Sequence, residues 1–456
     1  MKLFLAIFQV IFVCNAKGAK ILGVFPTPVR SHHILGHSLL SALAEKGHEV
    51  TLISPYEEKN GPGNKNYKHI SLTGFDHTLN HTNVQLLMDS DETFDVVIVE
   101  EFTEEALKAL AVHFKAHLVV LSTVCSNPSV ETSVGNPQPF SYVPYHLSSY
   151  SKSMTFHERV VNTLLHIYDQ LLNHFYIYPK HEQVIKKYLP NAPPLKSIIY
   201  NSSIVLVNSH LSLNQPLPRV PNMIDIGGFH IKAPQKLPQD LEEFLDSAKD
   251  GAIYFSLGTF LQSSKLPAEK RNIFLKVFSK LKEKVLWKWE DDTLPGRPPN
   301  VKVAKWLPQQ DILAHPNVKL FITHAGILST TEAIYSGKPL LAIPVFGDQK
   351  TNAQNIHSNG FGLFLPYNNI SEDDLTVKLN ELLKNPKYAR SARKRSEIFH
   401  DRLVKPMDTA IYWVEYVVRH GGAPHLRVAA VEFPWFKYFL VDVFVFIFVF
   451  IVLIGQ

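Results

Sequence analysis

The sequence predicts an α/β protein of two doubly wound halves that face a cleft, with an apolar helix at its C-terminal end. Three observations carry that expectation. Continuous apolar strands, among them KILGVF, FDVVIVE and HLVVLS, alternate with helical stretches, the pattern of a parallel sheet covered on both faces. The pattern restarts after residue 240, with AIYFSLG, VLWKWE, VKVAKWL, LFITH and LLAIPV as its strands. The length, 456 residues, is too great for one ordinary core. Hydrophobic content of 45% beside 19% charged residues is that of a globular chain. A net charge of +5, with no basic block interleaved with aromatics, speaks against nucleic-acid binding.

The elements follow in order. Residues 1–16, MKLFLAIFQVIFVCNA, read as a secretory signal, with Lys2 as the charged start and Leu3 to Val13 as the apolar stretch. After KILGVF, the residues Ile34, Leu35, Leu39, Leu40 and Leu43 recur at helical spacing, and Gly47 stops that helix before the strand HEVTLIS. A helix from Thr103 to about Phe114 separates FDVVIVE from HLVVLS. A Pro-rich polar region precedes a helical stretch from Phe156 to Tyr188, and IVLVNSH is a further strand. Pro234 to Asp250 reads as a linker and a short helix. In the second half, Pro267 stands at the first position of a helix whose buried stripe is Ile273, Phe274, Val277, Phe278 and Leu281.

Trp435 to Ile454 has about the length that crosses a bilayer, and Trp435 and Tyr438 suit its interface. A signal and a C-terminal anchor together imply a lumenal protein with one span, oriented by the signal because no basic tail follows the span. Cys14 leaves with the signal, so Cys125 is alone, and neither an internal disulfide nor a cysteine zinc site is expected. Asn80, Asn201 and Asn369 head N-x-[ST] triplets and are candidate glycan acceptors.

The chemistry concentrates in LFITHAGILSTTEAIYSG, Leu320 to Gly337. A strand meets a tight turn and a helix start, which aims free backbone N–H groups at one point. Ser329 and Glu332 have capping-box spacing. His324 and Gly326 at the turn favour an anion there, and a diphosphate is the natural occupant. Upstream, Trp306 offers a face for a base and Gln309 an amide for a base or ribose edge. Downstream, Asp348 and Gln349 end a strand with groups suited to sugar hydroxyls. Gly258-Thr259 ends another strand with a turn able to approach a phosphate. In the first half, His32 and His33 follow the first strand at its carboxyl end, where a doubly wound fold places its site.

From Trp306 to Gln349 the chain resembles the donor-binding signature of the UDP-glycosyltransferases, the membrane-anchored lumenal enzymes of animals, and their insect branch most of all. The resemblance runs from SHHILGHSLLSALAEKGHEVTLISP through PMDTAIYWVEYVVRHGGAPHLRVAA. It implies a GT-B fold divided as signal 1–16, acceptor-binding domain 17–240, UDP-sugar-binding domain 241–405, a returning helix 406–433 and a transmembrane helix 434–454. It implies that Trp306 stacks on uracil, Gln309 contacts the uridine, Lys288 lies near it, His324 and Thr259 meet the diphosphate with Gly326 in the same turn, Glu332 holds the ribose, and Asp348 and Gln349 hold the hexose. The Ser-His pattern points to His32 as the base, and Glu100 stands where the family keeps an aspartate. Glu101 reads as a solvated helix-start residue. Two departures occur: Ala325 stands where glycine is common, and Leu328 where vertebrate members place a phosphate-binding asparagine.

The activity implied is inverting transfer of a hexose, most of all glucose, to a hydroxyl of a small lipophilic acceptor, in the endoplasmic reticulum and in the service of detoxification. His32 takes the acceptor proton as the oxygen displaces UDP. UDP-sugar is a co-substrate, no cofactor is called for, and no clustered carboxylates stand ready to hold a metal against the phosphates. Apolar and aromatic residues around Phe140 to Tyr150 suggest a greasy acceptor pocket, and oligomerisation stays open. The connection from Ser71 to Phe94 is shorter than in relatives, so a truncated member that only binds UDP-sugar or a lipophilic ligand is the alternative. A nicotinamide dehydrogenase is disfavoured, since KILGVFPTPVRSHH lacks the G-x-G-x-x-G turn.

Overall fold

Apolar residues fill both faces of each central strand, and each sheet is accordingly sandwiched between two cores. The computed structural model describes residues 18–56, 63–72, 78–102, 104–151 and 153–455; the signal expected at residues 1–16 lies outside them. The first sheet holds β1 (Lys20–Val24), β2 (Glu49–Ser54), β3 (Tyr67–Ser71), β4 (Val96–Glu100), β5 (His117–Ser122), β6 (Ile204–Val207) and β7 (Met223–Asp225). Their order is β3-β2-β1-β4-β5-β6-β7. The second sheet holds β8 (Ala252–Ser256), β9 (Lys284–Lys288), β10 (Val301–Ala304), β11 (Val318–Thr323), β12 (Leu340–Ala342) and β13 (Gly362–Phe364), in the order β10-β9-β8-β11-β12-β13. All pairings are parallel; Ile21, for example, stands opposite Val50 on one side and Val96 on the other.

In both sheets the strand order reverses beside the first strand, between β1 and β4 and between β8 and β11. The carboxyl ends of strands at such a reversal open a crevice. Every candidate site residue of the first half follows β1 or ends β4. Those of the second half follow β8, β10, β11 and β12 or end β9.

Leu237, Leu241 and Leu245 belong to the second core, so that unit begins a few residues ahead of position 241. The helix Pro406–Arg419 returns to the first sheet and places Ala410, Ile411, Val414 and Val417 in its core. The connection from β3 to β4 carries the helix Thr82–Met88, whose Val84, Leu87 and Met88 enter the first core. A short crossover therefore suffices to bring the chain to β4.

Several expected elements differ in detail. The stretch Phe156–Tyr188 is two helices, Phe156–Leu172 and Tyr178–Tyr188, joined by a π turn at Asn173–Ile177. Pro179 has no N–H for the helical ladder, and the wider turn absorbs the mismatch. The helix expected from Thr103 is a 3-10 turn Glu105–Lys108 followed by Ala109–His113. Pro267 caps its helix from outside rather than occupying its first position. Strands β3, β7 and β13 lacked a clear pattern: β3 is a half-exposed edge strand, and the other two have three residues each.

The C-terminal stretch is not one helix. It runs as Trp435–Tyr438, breaks at Leu440, whose φ of 55° is left-handed, and resumes as Val441–Ile454. Fourteen residues rise roughly 21 Å, less than the ~30 Å of a hydrocarbon core. No described helix is long and apolar enough to cross a membrane.

Candidate active site

The turn after β11 is shaped around an imidazole. A Cβ built on Gly258 would meet His324 Cε1 at 2.6 Å, and one on Gly326 would meet His324 Nε2 at 2.4 Å. Only glycines on both sides let the ring lie between the two turns. Burial, and then the Lys288 cation, pushes the His324 imidazole down to about 4, so it is neutral near pH 7. Ala325 between them has a φ of 65°, a left-handed conformation that glycine adopts with least strain. The helix Ile327–Tyr335 then begins with Gly326 as its N-cap, and no side chain caps it. The capping box expected from Ser329 and Glu332 is therefore absent. Both side chains turn instead to Gln309, whose Nε2 donates to Ser329 Oγ (3.1 Å) and to Glu332 Oε2 (2.5 Å). Gln310 Nε2 adds a bond to Glu332 Oε1 at 2.9 Å, and Tyr254 donates its hydroxyl to Gln309 Oε1 at 3.2 Å.

Trp306 is 57% exposed and forms a pocket with Thr259, Phe260 and Lys288 of its own domain and Pro28, Val29, Arg30 and Tyr56 of the other. Lys288 is buried, and its Nζ donates to the Gly258 carbonyl (3.0 Å) and Glu290 Oε1 (2.7 Å). Asp348 precedes the helix Gln349–Ser358 and accepts from Asn352 Nδ2 at 2.8 Å. Burial raises its carboxyl. Gln349 is buried, and its side-chain oxygen accepts the N–H groups of Val345 (2.8 Å) and Phe346 (3.2 Å), so that oxygen shapes the turn rather than facing the cleft.

Across the cleft, His32 Nδ1 is hydrogen-bonded to Glu100 Oε1. Thr123 Oγ1 stands 3.1 Å from the same nitrogen and donates to the same oxygen at 3.2 Å. The carboxylate assigns the Nδ1–H tautomer and leaves Nε2 as the basic nitrogen. Glu101 does not point to solvent. Its Oε2 lies 2.5 Å from Lys108 Nζ, as does Glu105 Oε2, and all three side chains are buried. Burial, with Glu105 next, pushes the Glu101 carboxyl up to about 7.

A cavity of about 90 Å³ opens beside Asp348. Val143, Pro144, His146, Tyr150 and Leu217 line it with Cys125, whose thiol burial pushes up to about 12. Thr351 Oγ1 reaches over it from the second domain to the carbonyls of His146 and Ser148, each at 2.7 Å. Asn80, Asn201 and Asn369 are exposed. Among the described residues, Glu242, Asp246 and His315 can bring ligand atoms within 4.8 Å of one another. That trio precedes β8 and β11, at the end of the sheet opposite the cleft. Arg30, Thr123 and Thr351 escaped notice in the sequence; the signal for Arg30 was its place two residues ahead of His32.

Two parallel-sheet domains with a glycine-walled helix start facing a histidine–carboxylate pair define a GT-B glycosyltransferase. The chain belongs to the UDP-glycosyltransferase family: a family model described as "UDP-glucoronosyl and UDP-glucosyl transferase" matches residues 66–455. It is similar to "UDP-glycosyltransferase UGT5" of Dactylopius coccus, 40% identical over 95% of this chain and 89% of that one. It is also similar to a "UDP-glucuronosyltransferase" of Pleuronectes platessa, 38% identical over 68% of this chain and 66% of that one. Among solved structures, the glycotransferase of kitacinnamycin shares the fold, with a TM-score of 0.62 at 16% identity over 88% of this chain and 99% of that one. LpCGTa, solved in complex with UDP, aligns with a TM-score of 0.57 at 16% identity over the same shares.

Proposed function

We propose that this UDP-glycosyltransferase moves glucose from UDP-glucose to a hydroxyl of a small lipophilic acceptor, with inversion, in metabolite conjugation or detoxification. The observation that carries the reading is the bond between His32 and Glu100, placed by β1 and β4 at the carboxyl ends of the first sheet's central strands. The uracil lies on Trp306, with Gln309 at the uridine and Glu332 at the ribose. Thr259, the Gly326 turn and the helix start receive the diphosphate, with Lys288 behind them. Asp348 orients the hexose. The acceptor occupies the largely apolar cavity under Thr351.

His32 Nε2 takes the acceptor proton as the acceptor oxygen bonds to the anomeric carbon, and the bond from that carbon to the diphosphate oxygen breaks on the opposite face. Glu100 holds the ring and stabilises the imidazolium. Backbone N–H groups at the helix start stabilise the charge that grows on departing UDP. The step is complete with protein groups and the two substrates.

The same reading places the domains in the lumen of the endoplasmic reticulum, glycosylated at Asn80, Asn201 and Asn369 and held at the membrane by residues 434–454. Its support is that every residue of the apolar helix Val441–Ile454 after Val441 is exposed, which water disfavours. The deciding assay is UDP release from UDP-glucose by membranes carrying the chain, with and without phenolic acceptors, beside His32→Ala. Acceptor-dependent release that the substitution abolishes is expected. Binding of UDP-glucose without release would leave a donor-binding protein.

A further inference from the structure

The donor reading leaves a charge to be accounted for. A nucleoside diphosphate brings at least two negative charges to the turn after β11, yet the second domain offers little free positive charge there. His324 is held neutral near pH 7 by burial and by Lys288. Lys288 is already bonded to Glu290 and to the Gly258 carbonyl. Leu328, in the first turn of the helix, carries no polar group and packs against the core of the first domain instead.

A cation does stand at the pocket, and it comes from across the cleft. Arg30 is exposed and opens the helix Arg30–Glu45 that carries His32. Its guanidinium lies 5.0 Å from the centroid of the Trp306 ring, over the face the base would take. Among the described residues no carboxylate pairs with it. It shares its pocket with Thr259 and Lys288.

We propose that Arg30 is a donor-binding residue supplied by the acceptor domain: the uracil displaces its guanidinium from Trp306, and the guanidinium then binds the diphosphate. A planar guanidinium suits phosphate oxygens, and the contact forms across the cleft. It supplies the hydrogen bonds that Leu328 cannot, and it draws the helix bearing His32 toward the donor when the donor is present. The inference rests on the UDP-sugar reading of this site.

The test is equilibrium binding of UDP and of uridine to the full chain in detergent, for the native protein and for Arg30→Ala and Arg30→Gln. Loss of charge-assisted bonds predicts that both variants bind UDP about 10- to 100-fold more weakly. Uridine affinity should hold or rise, because it has no phosphate and Trp306 is uncovered. The fall of UDP affinity with added salt should also be shallower in the variants. Equal loss of UDP and uridine, or no loss of either, would overturn the assignment of Arg30 while leaving the donor site in place. Failure of the native chain to bind UDP would overturn the donor site itself, and the role of Arg30 with it.

Discussion

His32 and Glu100 are joined side chain to side chain in the first domain, at the carboxyl ends of β1 and β4, with Thr123 bonded to the pair. Glutamate is a methylene longer than aspartate, and the pair closes through one carboxylate oxygen. The other oxygen, Oε2, is buried and has no hydrogen-bond partner among the described residues. If the carboxylate serves to hold the tautomer and offset the imidazolium charge, Glu100→Gln should lower kcat by about a hundredfold or more while UDP affinity stays unchanged. Steady-state kinetics beside UDP binding checks both halves; a fall in UDP affinity of the same size would point to misfolding of the cleft instead.

Thr351 ties the two domains together over the acceptor cavity through the carbonyls of His146 and Ser148. Valine has nearly the same shape without the hydroxyl. Thr351→Val should raise the acceptor KM about fivefold, the worth of one neutral hydrogen bond, and leave the KM for UDP-sugar in place. Equal changes in both constants would count against a local role.

Lys108 is the only cation among the three buried side chains it forms with Glu101 and Glu105. Lys108→Met should destabilise the fold by about 3 kcal/mol or more, because two carboxyls would be left buried without it. Glu101→Gln should cost much less, since that carboxyl is already pushed up to about 7 and gives up its charge readily. Denaturant unfolding of the two variants should rank them in that order.

Acid should weaken the fold. Burial holds the imidazoles of His33, His146, His210 and His324 down to about 4. Between about 4 and about 6.5 these rings are neutral in the folded chain and protonated in the unfolded one. The unfolded state then binds more protons, so stability is full above that window and falls as pH drops through it. Glu101 acts the other way, adding stability in acid that is lost as pH rises through about 7; the raised carboxyls of Glu131, Asp169, Asp225 and Asp348 share its sign, and the lowered imidazoles of His37 and His166 side with the four. Thermal midpoints from pH 7 down to 5 should decline, and His146→Gln should decline less steeply. A flat profile would contradict the assignment.

Gly258 has a φ of 91° and lies against His324. Gly258→Ala should push the imidazole out of its slot and lower UDP affinity about tenfold or more, read by titration, with only a modest change in the thermal midpoint. Retained UDP binding would mean that the ring can move without consequence.

The central strands of both sheets could be read from the chain alone, because a strand buried on both faces must be apolar along its whole length, whereas the edge strands β3, β7 and β13 could not. The positions of His32, Glu100, Trp306, His324 and Asp348 were legible for a related reason: each lies at or just beyond a strand's carboxyl end, and chain order already assigns such positions to the crevice. Pairings were not legible. Ser329 and Glu332 have the spacing of a cap, but the helix starts at Gly326 and Gln309 takes both side chains. Glu101 looks like a surface residue until a 3-10 turn brings Lys108 back beneath it. Arg30 meets Trp306, and Thr351 meets the carbonyl of His146, only because one domain is set against the other at a particular distance. Spacing along a chain encodes which face a residue takes; it does not encode what another domain, folded around its own core, will present to that face.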